Sequence, residues 1–173
     1  SDAMAVSELS MSSFIHPRVE PEIAFRLGQD VEAEIQLEEV IEAIDAVTIA
    51  IEVIDSRYEN FKFSLEDVVA DNSSSAAYVL GEWKDRNTSI DDVEIILNID
   101  GDKVHAGHST AILGNPYLSV VAAIKMAIKN NISLKRGHII LAGAATPAVY
   151  LASGQMIEVT GGSLGKVSLT TTG

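Results

Sequence analysis

The sequence predicts an α+β domain whose core is a closed or rolled β-architecture with few helices. Short apolar, β-branched stretches recur along the chain with turn residues between them, and only two stretches have helical periodicity. The chain has 173 residues, of which 47% are hydrophobic, so it can bury one sizeable core. We see no internal repeat and no linker, and we therefore expect one domain over residues 1–173.

The first half of the chain predicts two long strands with a short helix between them. In residues 15–25, Val19 and Ile23 alternate with charged side chains, whereas residues 47–54 are apolar and β-branched apart from one carboxylate. Residues 37–44 carry apolar side chains at helical spacing, which predicts a short amphipathic helix between the two strands.

The second half predicts one longer helix, from Pro116 to about Lys129. Asn115 can cap this helix, and Pro116 occupies a first helical position, where its missing amide does no harm. Lys125 and Lys129 lie near the negative end of the helix dipole. The helix needs an apolar partner, and we expect its buried face to pack against a sheet.

Shorter strands surround this helix in the sequence. Asp100 and Gly101 predict a hairpin turn, because both residue types tolerate positive φ. The strands joined by that turn, and those that complete the predicted set, cover residues 93–98, 103–107, 139–143, 156–160 and 166–170.

Three carboxylates in the first two strands predict a metal site. Glu20 and Glu22 are one residue apart, so their side chains point to the same face of a strand. Glu52 is the lone charge in the apolar strand 47–54, and such a buried carboxylate is costly unless a cation lies against it. Oxygen ligands without any cysteine favour Mg²⁺, Mn²⁺ or Ca²⁺ over zinc or copper.

An alternative interpretation of the same residues needs no metal. In it, Pro21 marks an edge strand, Glu20 and Glu22 lie on its hydrated face, and Glu52 pairs with an arginine. The spacing of the three glutamates does not by itself decide between the two interpretations.

Composition restricts the partners. Twelve basic and 25 acidic residues give a net charge of −13, which disfavours nucleic acid and anionic membranes as partners. The absence of cysteine excludes disulfides, and no apolar run reaches the roughly 18 residues of a membrane span. We therefore expect a soluble, cytoplasmic protein.

Three segments, 16–25, 51–63 and 69–75, resemble the 4-oxalocrotonate decarboxylase and 2-hydroxypentadienoate hydratase group of the fumarylacetoacetate hydrolase superfamily. The resemblance runs from about Phe14 to the C-terminus, and segment 58–63 is more similar to the decarboxylase branch. It implies a mixed β-roll core of the fumarylacetoacetate hydrolase C-terminal type, with Mg²⁺ or Mn²⁺ held by Glu20, Glu22 and Glu52.

The resemblance implies a metal-dependent decarboxylase of an unsaturated 2-oxo dicarboxylic acid, such as 4-oxalocrotonate (2-oxo-3-hexenedioate), in the meta-cleavage catabolism of aromatic compounds. One alternative is a 2-hydroxypentadienoate (2-keto-4-pentenoate) hydratase or C–C hydrolase on the same scaffold. Another is a noncatalytic fragment or partner subunit, because relatives normally carry an N-terminal portion for which we find no counterpart in residues 1–173. The family also implies a small-molecule 2-oxo acid substrate, a homo-oligomer and a complex with a related hydratase.

The rest of the site is predicted by position within the similar segments. Lys62 is the candidate catalytic cation, which would hold a substrate carboxylate or a nearby acid; the alternative is a surface lysine. Arg57, Ser73 and Thr146 are candidate substrate-binding residues. Arg57 is also suited to a structural carboxylate pair, and the loop with Thr146 resembles the superfamily's glycine-threonine-proline loop.

Overall fold

The computed structural model describes residues 4, 5 and 7–173, with side chains from residue 7 onward. In that part of the chain, twelve strands form a seven-stranded and a five-stranded sheet. The strands are β1 (Met4–Ala5), β2 (Glu8–Ser10), β3 (Arg18–Leu27), β4 (Ile44–Ile54), β5 (Ser75–Leu80), β6 (Lys84–Asp85), β7 (Glu94–Ile99), β8 (Asp102–His108), β9 (Ile139–Ala144), β10 (Val149–Tyr150), β11 (Met156–Thr160) and β12 (Lys166–Thr172).

The described residues form three α-helices, α1 (Val40–Ala43), α2 (Leu65–Ala70) and α3 (Tyr117–Lys129). The predicted helix over 37–44 is a 3₁₀ turn followed by α1, and it stops at Ala43 because β4 begins at the next residue. Asn115 caps α3 as expected, since its Oδ1 accepts the Tyr117 amide at 3.0 Å. None of the described helices is long and apolar enough to cross a membrane.

The larger sheet is built around the long antiparallel pair β3 and β4. Its order is β1-β5-β4-β3-β10, with β6 also pairing with β4 and β9 with β3. Glu20 lies directly opposite Glu52 in the register of the central pair. The position of the carboxylates is therefore set by strand pairing and does not depend on a loop.

The smaller sheet has the order β2-β12-β11-β7-β8. Its β7–β8 hairpin turns at Asp100 and Gly101, whose φ values are 54° and 89°, so the predicted turn is confirmed. β11 and β12 pack against β4, which closes the two sheets over a shared core. This arrangement confirms the expected rolled, mixed β-architecture with few helices.

The core lies on one face of β3 and β4. Val19, Ile23 and Phe25 are fully buried there, as are Ile49 and Ile51 of the neighbouring strand. Helix α3 covers part of this face, with the ring of Tyr117 centred 5.3 Å from that of Phe25. Each such side chain contributes about 1.5–3 kcal/mol by leaving water. The core anchors the two strands whose opposite face carries the glutamates.

Pro21 does not mark an edge, because β3 has partners on both sides. β4 pairs with one side of β3. β9 and β10 together flank the other side, and Pro21 lies at the gap between them. Its missing amide is therefore tolerated inside the sheet, and its carbonyl accepts the Ala145 amide at 2.9 Å. The edge-strand interpretation of this segment is wrong.

A substitution at Gly107 of β8 tests how the smaller sheet packs against the larger sheet beside Pro21. A methyl group at Gly107 would lie 2.2 Å from the carbonyl oxygen of Ala145, in the loop after β9. We expect Gly107→Ala to lower the free energy of unfolding by about 3 kcal/mol, since backbone must move. The control is Gly101→Ala, where space is open and only the positive φ opposes the change, at about 1 kcal/mol. Equal thermal shifts for the two variants would contradict this packing.

Candidate metal centre

The structure brings Glu20, Glu22 and Glu52 together on the open face of the larger sheet. One carboxylate oxygen from each lies within 4.8 Å of the other two. Glu22 is almost fully buried, and the other two glutamates are half-buried. The cluster is therefore a compact group of three acids on rigid, adjacent strands.

Two hydrogen bonds orient the cluster. The Ser75 hydroxyl donates to Glu52 Oε1 at 2.6 Å, and the Gly143 amide donates to Glu22 Oε2 at 2.8 Å. In the described chain, no lysine or arginine forms an ion pair with any of the three glutamates. The expectation that Glu52 pairs with an arginine is therefore wrong, and among the described residues no ion pair neutralises the cluster.

Burial and mutual repulsion oppose ionisation of two of the acids. Burial raises the pKa of Glu20 to about 7, the charge of Glu52 adds to the rise, and Arg18 partly opposes it. Burial likewise raises the pKa of Glu22 well above its ordinary value, with Glu52 adding to the rise and the Gly143 amide lowering it. A cation in the cluster would stabilise the ionised carboxylates and would therefore oppose both rises.

The donor set fits a hard divalent cation. Carboxylate oxygens suit Mg²⁺, whose ligands lie at about 2.1 Å in an octahedron and so about 3–4.2 Å apart. A cluster that spans 4.8 Å needs small side-chain rotations to reach that geometry. The three glutamates supply half of an octahedral shell, so positions remain for a chelating ligand. Metal ligation by these residues stays a prediction.

No hydrogen bond or ion pair in the described part of the chain joins the other predicted site residues to the cluster. Lys62 is exposed in the segment after β4. Thr146 is buried in the loop between β9 and β10, where its hydroxyl donates to the Pro147 carbonyl at 3.3 Å. Arg57 pairs through Nε with the buried carboxylate of Asp71, as its structural alternative expected. Ser73 is exposed in a turn with φ of 54°. Their roles toward substrate stay predictions.

Sequence reasoning missed Ser75 and the Gly143 amide as groups that touch the cluster. Ser75 is the last of three consecutive serines that begin at Ser73. The pairing of β5 with β4 brings Ser75 to Glu52. A backbone amide carries no signal in its residue type. The glycine at 143 has a φ of 105°, which gives a conformational reason for glycine at that position.

Comparison with known proteins identifies the family. The model of the fumarylacetoacetate (FAA) hydrolase C-terminal family matches residues 5–171. The chain belongs to this family. The resemblance stated from its sequence is thereby confirmed.

Relatives within the fumarylacetoacetate hydrolase family include two enzyme types. The chain is 43% identical over 166 residues to a 4-oxalocrotonate decarboxylase from a Pseudomonas species, covering 96% of the chain and 65% of the relative. It is 36% identical over 150 residues to a 2-keto-4-pentenoate hydratase from Paraburkholderia xenovorans (strain LB400), covering 84% of the chain and 56% of the relative. The chain thus spans less than two thirds of each relative's length.

A solved structure has the same fold. The 4-oxalocrotonate decarboxylase from Pseudomonas putida G7, complexed with magnesium and adipate, superposes with a TM-score of 0.90 at 33% identity. The match covers 98% of this chain and 65% of that one. The fold expected from the sequence is confirmed by this likeness and by the family match.

The raised pKa of Glu20 predicts how the metal-free protein responds to pH. Between the ordinary value of 4.5 and about 7, the folded state holds a proton that the unfolded chain releases. Stability therefore falls as pH rises through this window and levels off above it. Because Glu20 stays partly exposed, we expect a loss of about 1–2 kcal/mol relative to Glu20→Gln. Denaturant unfolding with chelator, from about pH 5 to pH 8, measures it; parallel curves for the two proteins would refute the shift.

Proposed function

We propose that this chain is a single catalytic-type domain that holds Mg²⁺ or Mn²⁺ through Glu20, Glu22 and Glu52. The observation that carries the proposal is the convergence of three carboxylates within 4.8 Å without a protein counter-charge. The family match and a relative complexed with magnesium support it. The chemistry of oxygen ligands favours the same ions.

We infer that the protein takes part in decarboxylation of an unsaturated 2-oxo dicarboxylic acid such as 4-oxalocrotonate, in the meta-cleavage catabolism of aromatic compounds. The relative with 43% identity is a 4-oxalocrotonate decarboxylase, and so is the structural neighbour with a TM-score of 0.90. Both are longer than this chain, so the reaction of the whole enzyme is inferred here from the site and from these relatives.

A divalent cation in the cluster would act as a Lewis acid and would orient the substrate's 2-oxo acid end. The bond between the substrate's carbon chain and its distal carboxylate breaks, and CO₂ leaves. The electron pair of that bond moves through the double bond onto the 2-oxo oxygen, and the resulting dienolate then takes up one proton from solvent. This reaction needs no protein nucleophile.

The protein's own groups hold this arrangement. Ser75 and the Gly143 amide fix one oxygen each of Glu52 and Glu22, which leaves the second oxygen of each carboxylate to contact a cation. We propose that further substrate contacts come from the polar residues around the cluster, with Lys62 as a cation at the reacting end. The substrate-binding residues proposed with it are Arg57, Ser73 and Thr146.

A hydratase on the same scaffold is the second candidate, and the relative with 36% identity named 2-keto-4-pentenoate hydratase favours it. The same site would then bind a 2-oxo acid and direct water addition. A third candidate is a partner subunit or fragment that binds the ion without turnover, which is consistent with the chain spanning 65% of the first relative.

We also propose that the protein forms a homo-oligomer, associates with a related hydratase and acts in the cytoplasm on a small 2-oxo acid. The exposed apolar side chains of α2 support an assembly, because Leu65 and Val69 are 74% and 68% accessible in the single chain. Native mass measurement of the chain, alone and mixed with a 2-keto-4-pentenoate hydratase, tests both associations.

Product analysis tests the proposed reaction. We expect the Mg²⁺-loaded protein to release CO₂ from 2-oxo-3-hexenedioate, and we expect Glu52→Ala to lose this activity. The control is Glu158→Ala, which removes an acid of the five-stranded sheet that pairs with Lys166 at 3.1 Å. This variant keeps the three clustered acids and should stay active.

Each other result assigns a different function. Water addition to 2-hydroxypentadienoate without CO₂ release from the dicarboxylate would replace the decarboxylase with the hydratase. Metal binding without turnover of either substrate would support the noncatalytic alternative. Equal activity in Glu52→Ala and in the unaltered protein would refute the role of the carboxylate cluster.

A further inference from the structure

Arg18 lies on the same strand face as the three glutamates. It is not one of the groups that donate hydrogen bonds to them. It is two residues from Glu20 along β3, so its side chain points the same way. Two residues of a strand span about 6.6–6.8 Å, which is close to the length of an extended six-carbon chain.

The guanidinium of Arg18 is held by aromatic rings. Its Cζ lies 4.0 Å from the ring centroid of Phe61 and 4.1 Å from that of Tyr150, and the two rings stand 78° apart. A terminal nitrogen, Nη2, also donates to the Tyr150 hydroxyl. We call Arg18, Phe61 and Tyr150 the arginine corner. These contacts fix the direction of the cation but bring no negative charge to it.

Arg18 differs in this respect from three other arginines. Arg26, Arg57 and Arg86 each form an ion pair with a carboxylate. Among the described residues, no carboxylate lies within ion-pair distance of Arg18, and its Nε is buried without a hydrogen-bond partner. A half-buried guanidinium without an ion-pair partner, on the strand face that carries the three glutamates, has the charge and the donors to bind a carboxylate.

The corner depends on an unfavourable backbone conformation. Asn60 and Phe61 both have a φ of 55°, which is rare for an aromatic residue. This turn places the Phe61 ring against Arg18 on one side and against His16 on the other, at 4.9 Å between ring centroids. Such conformations concentrate at binding sites, where the surrounding structure compensates for their cost.

The opposite side of the cluster has a different character. There, a cavity of about 410 Å³ is lined by apolar side chains that include Leu134, Ile139 and Leu141, together with the polar side chains of Tyr78 and His138. Register places Leu141 beside Ala24 on the glutamate face, farther along β3 than Glu22. Arg26 also belongs to that end, but its Nε already pairs with Asp45 at 2.6 Å. A ligand that extends from the cluster thus meets the Arg18 guanidinium in one direction and a mainly apolar cavity in the other.

We propose that Arg18 binds the second carboxylate of a linear 2-oxo dicarboxylic acid whose 2-oxo acid end lies at Glu20, Glu22 and Glu52. Arg18 is then a specificity-determining residue that favours dicarboxylates over 2-oxo acids with an uncharged tail. This assignment rests on the proposed metal site. It deepens the proposed function by naming the group that recognises the far end of the substrate.

The test compares two ligands that differ only in the second carboxylate, 2-oxohexanedioate and 2-oxohexanoate. Calorimetric binding of both ligands to the Mn²⁺-saturated protein is measured at one fixed pH. We expect the dicarboxylate to bind at least about tenfold more tightly than the monocarboxylate. Oxalate, which has only the chelating end, reports on the metal centre alone.

Three variants assign the preference to Arg18. Arg18→Met should remove the dicarboxylate preference while oxalate still binds, and Arg18→Lys should restore part of it because the charge returns without the planar fork. Arg26→Met is the matched control, on the same strand and face, and it should keep the preference. Thermal unfolding of each variant identifies any that fail to fold, and Arg18→Lys then carries the comparison.

The outcomes separate this inference from the proposed function. Equal binding of the two ligands to the unaltered protein, with oxalate binding intact, would overturn the role of Arg18 and leave the metal centre standing. An undiminished dicarboxylate preference in both Arg18→Met and Arg18→Lys would likewise overturn the role of Arg18 and leave the metal centre standing. Failure of oxalate to bind the unaltered protein in the presence of Mn²⁺ would overturn the metal centre, and this assignment with it.

Discussion

Repulsion among three carboxylates, held within 4.8 Å on one sheet face, is the interaction on which the rest of this structure depends. The strands cannot relieve it by moving apart, because their other face forms the buried core and their register is fixed over the length of β3. Burial, with this repulsion added to it, favours the protonated acids, as the raised pKa values of Glu20 and Glu22 indicate. In the metal centre that we propose, a divalent cation would replace those protons and would convert an unfavourable cluster into a binding site.

The surroundings divide the space beside the cluster into two regions of different chemistry. At the start of β3, aromatic rings hold the Arg18 cation without neutralising it. Beside the later part of β3, Leu141 and Ile139 of β9 line a mainly apolar cavity. The protein's net charge of −13 repels an anionic substrate at long range, so binding depends on local positive charge at the site. The cation of the cluster and Arg18 would supply it from two sides.

The features predicted from the sequence are those in which the residue pattern itself determines the geometry. Alternation along β3 places Glu20 and Glu22 together, the Asp100–Gly101 turn forms the hairpin, and Asn115 caps α3. Pro21 misled the alternative interpretation, because a gap between two partner strands is invisible in the residues near it. Ser75 and Arg18 were missed for the same reason, since their contacts come from distant segments.

A titration of the chelator-treated protein with Mn²⁺, followed by the electron spin resonance of the free ion, tests the central claim most directly. We expect one bound ion per chain in the unaltered protein and in Glu158→Ala. We expect Glu52→Ala to bind Mn²⁺ at least about 100-fold more weakly while its thermal unfolding stays close to normal, since the ion and a half-buried charge are lost together. Unchanged Mn²⁺ affinity in Glu52→Ala would contradict metal binding by the three glutamates.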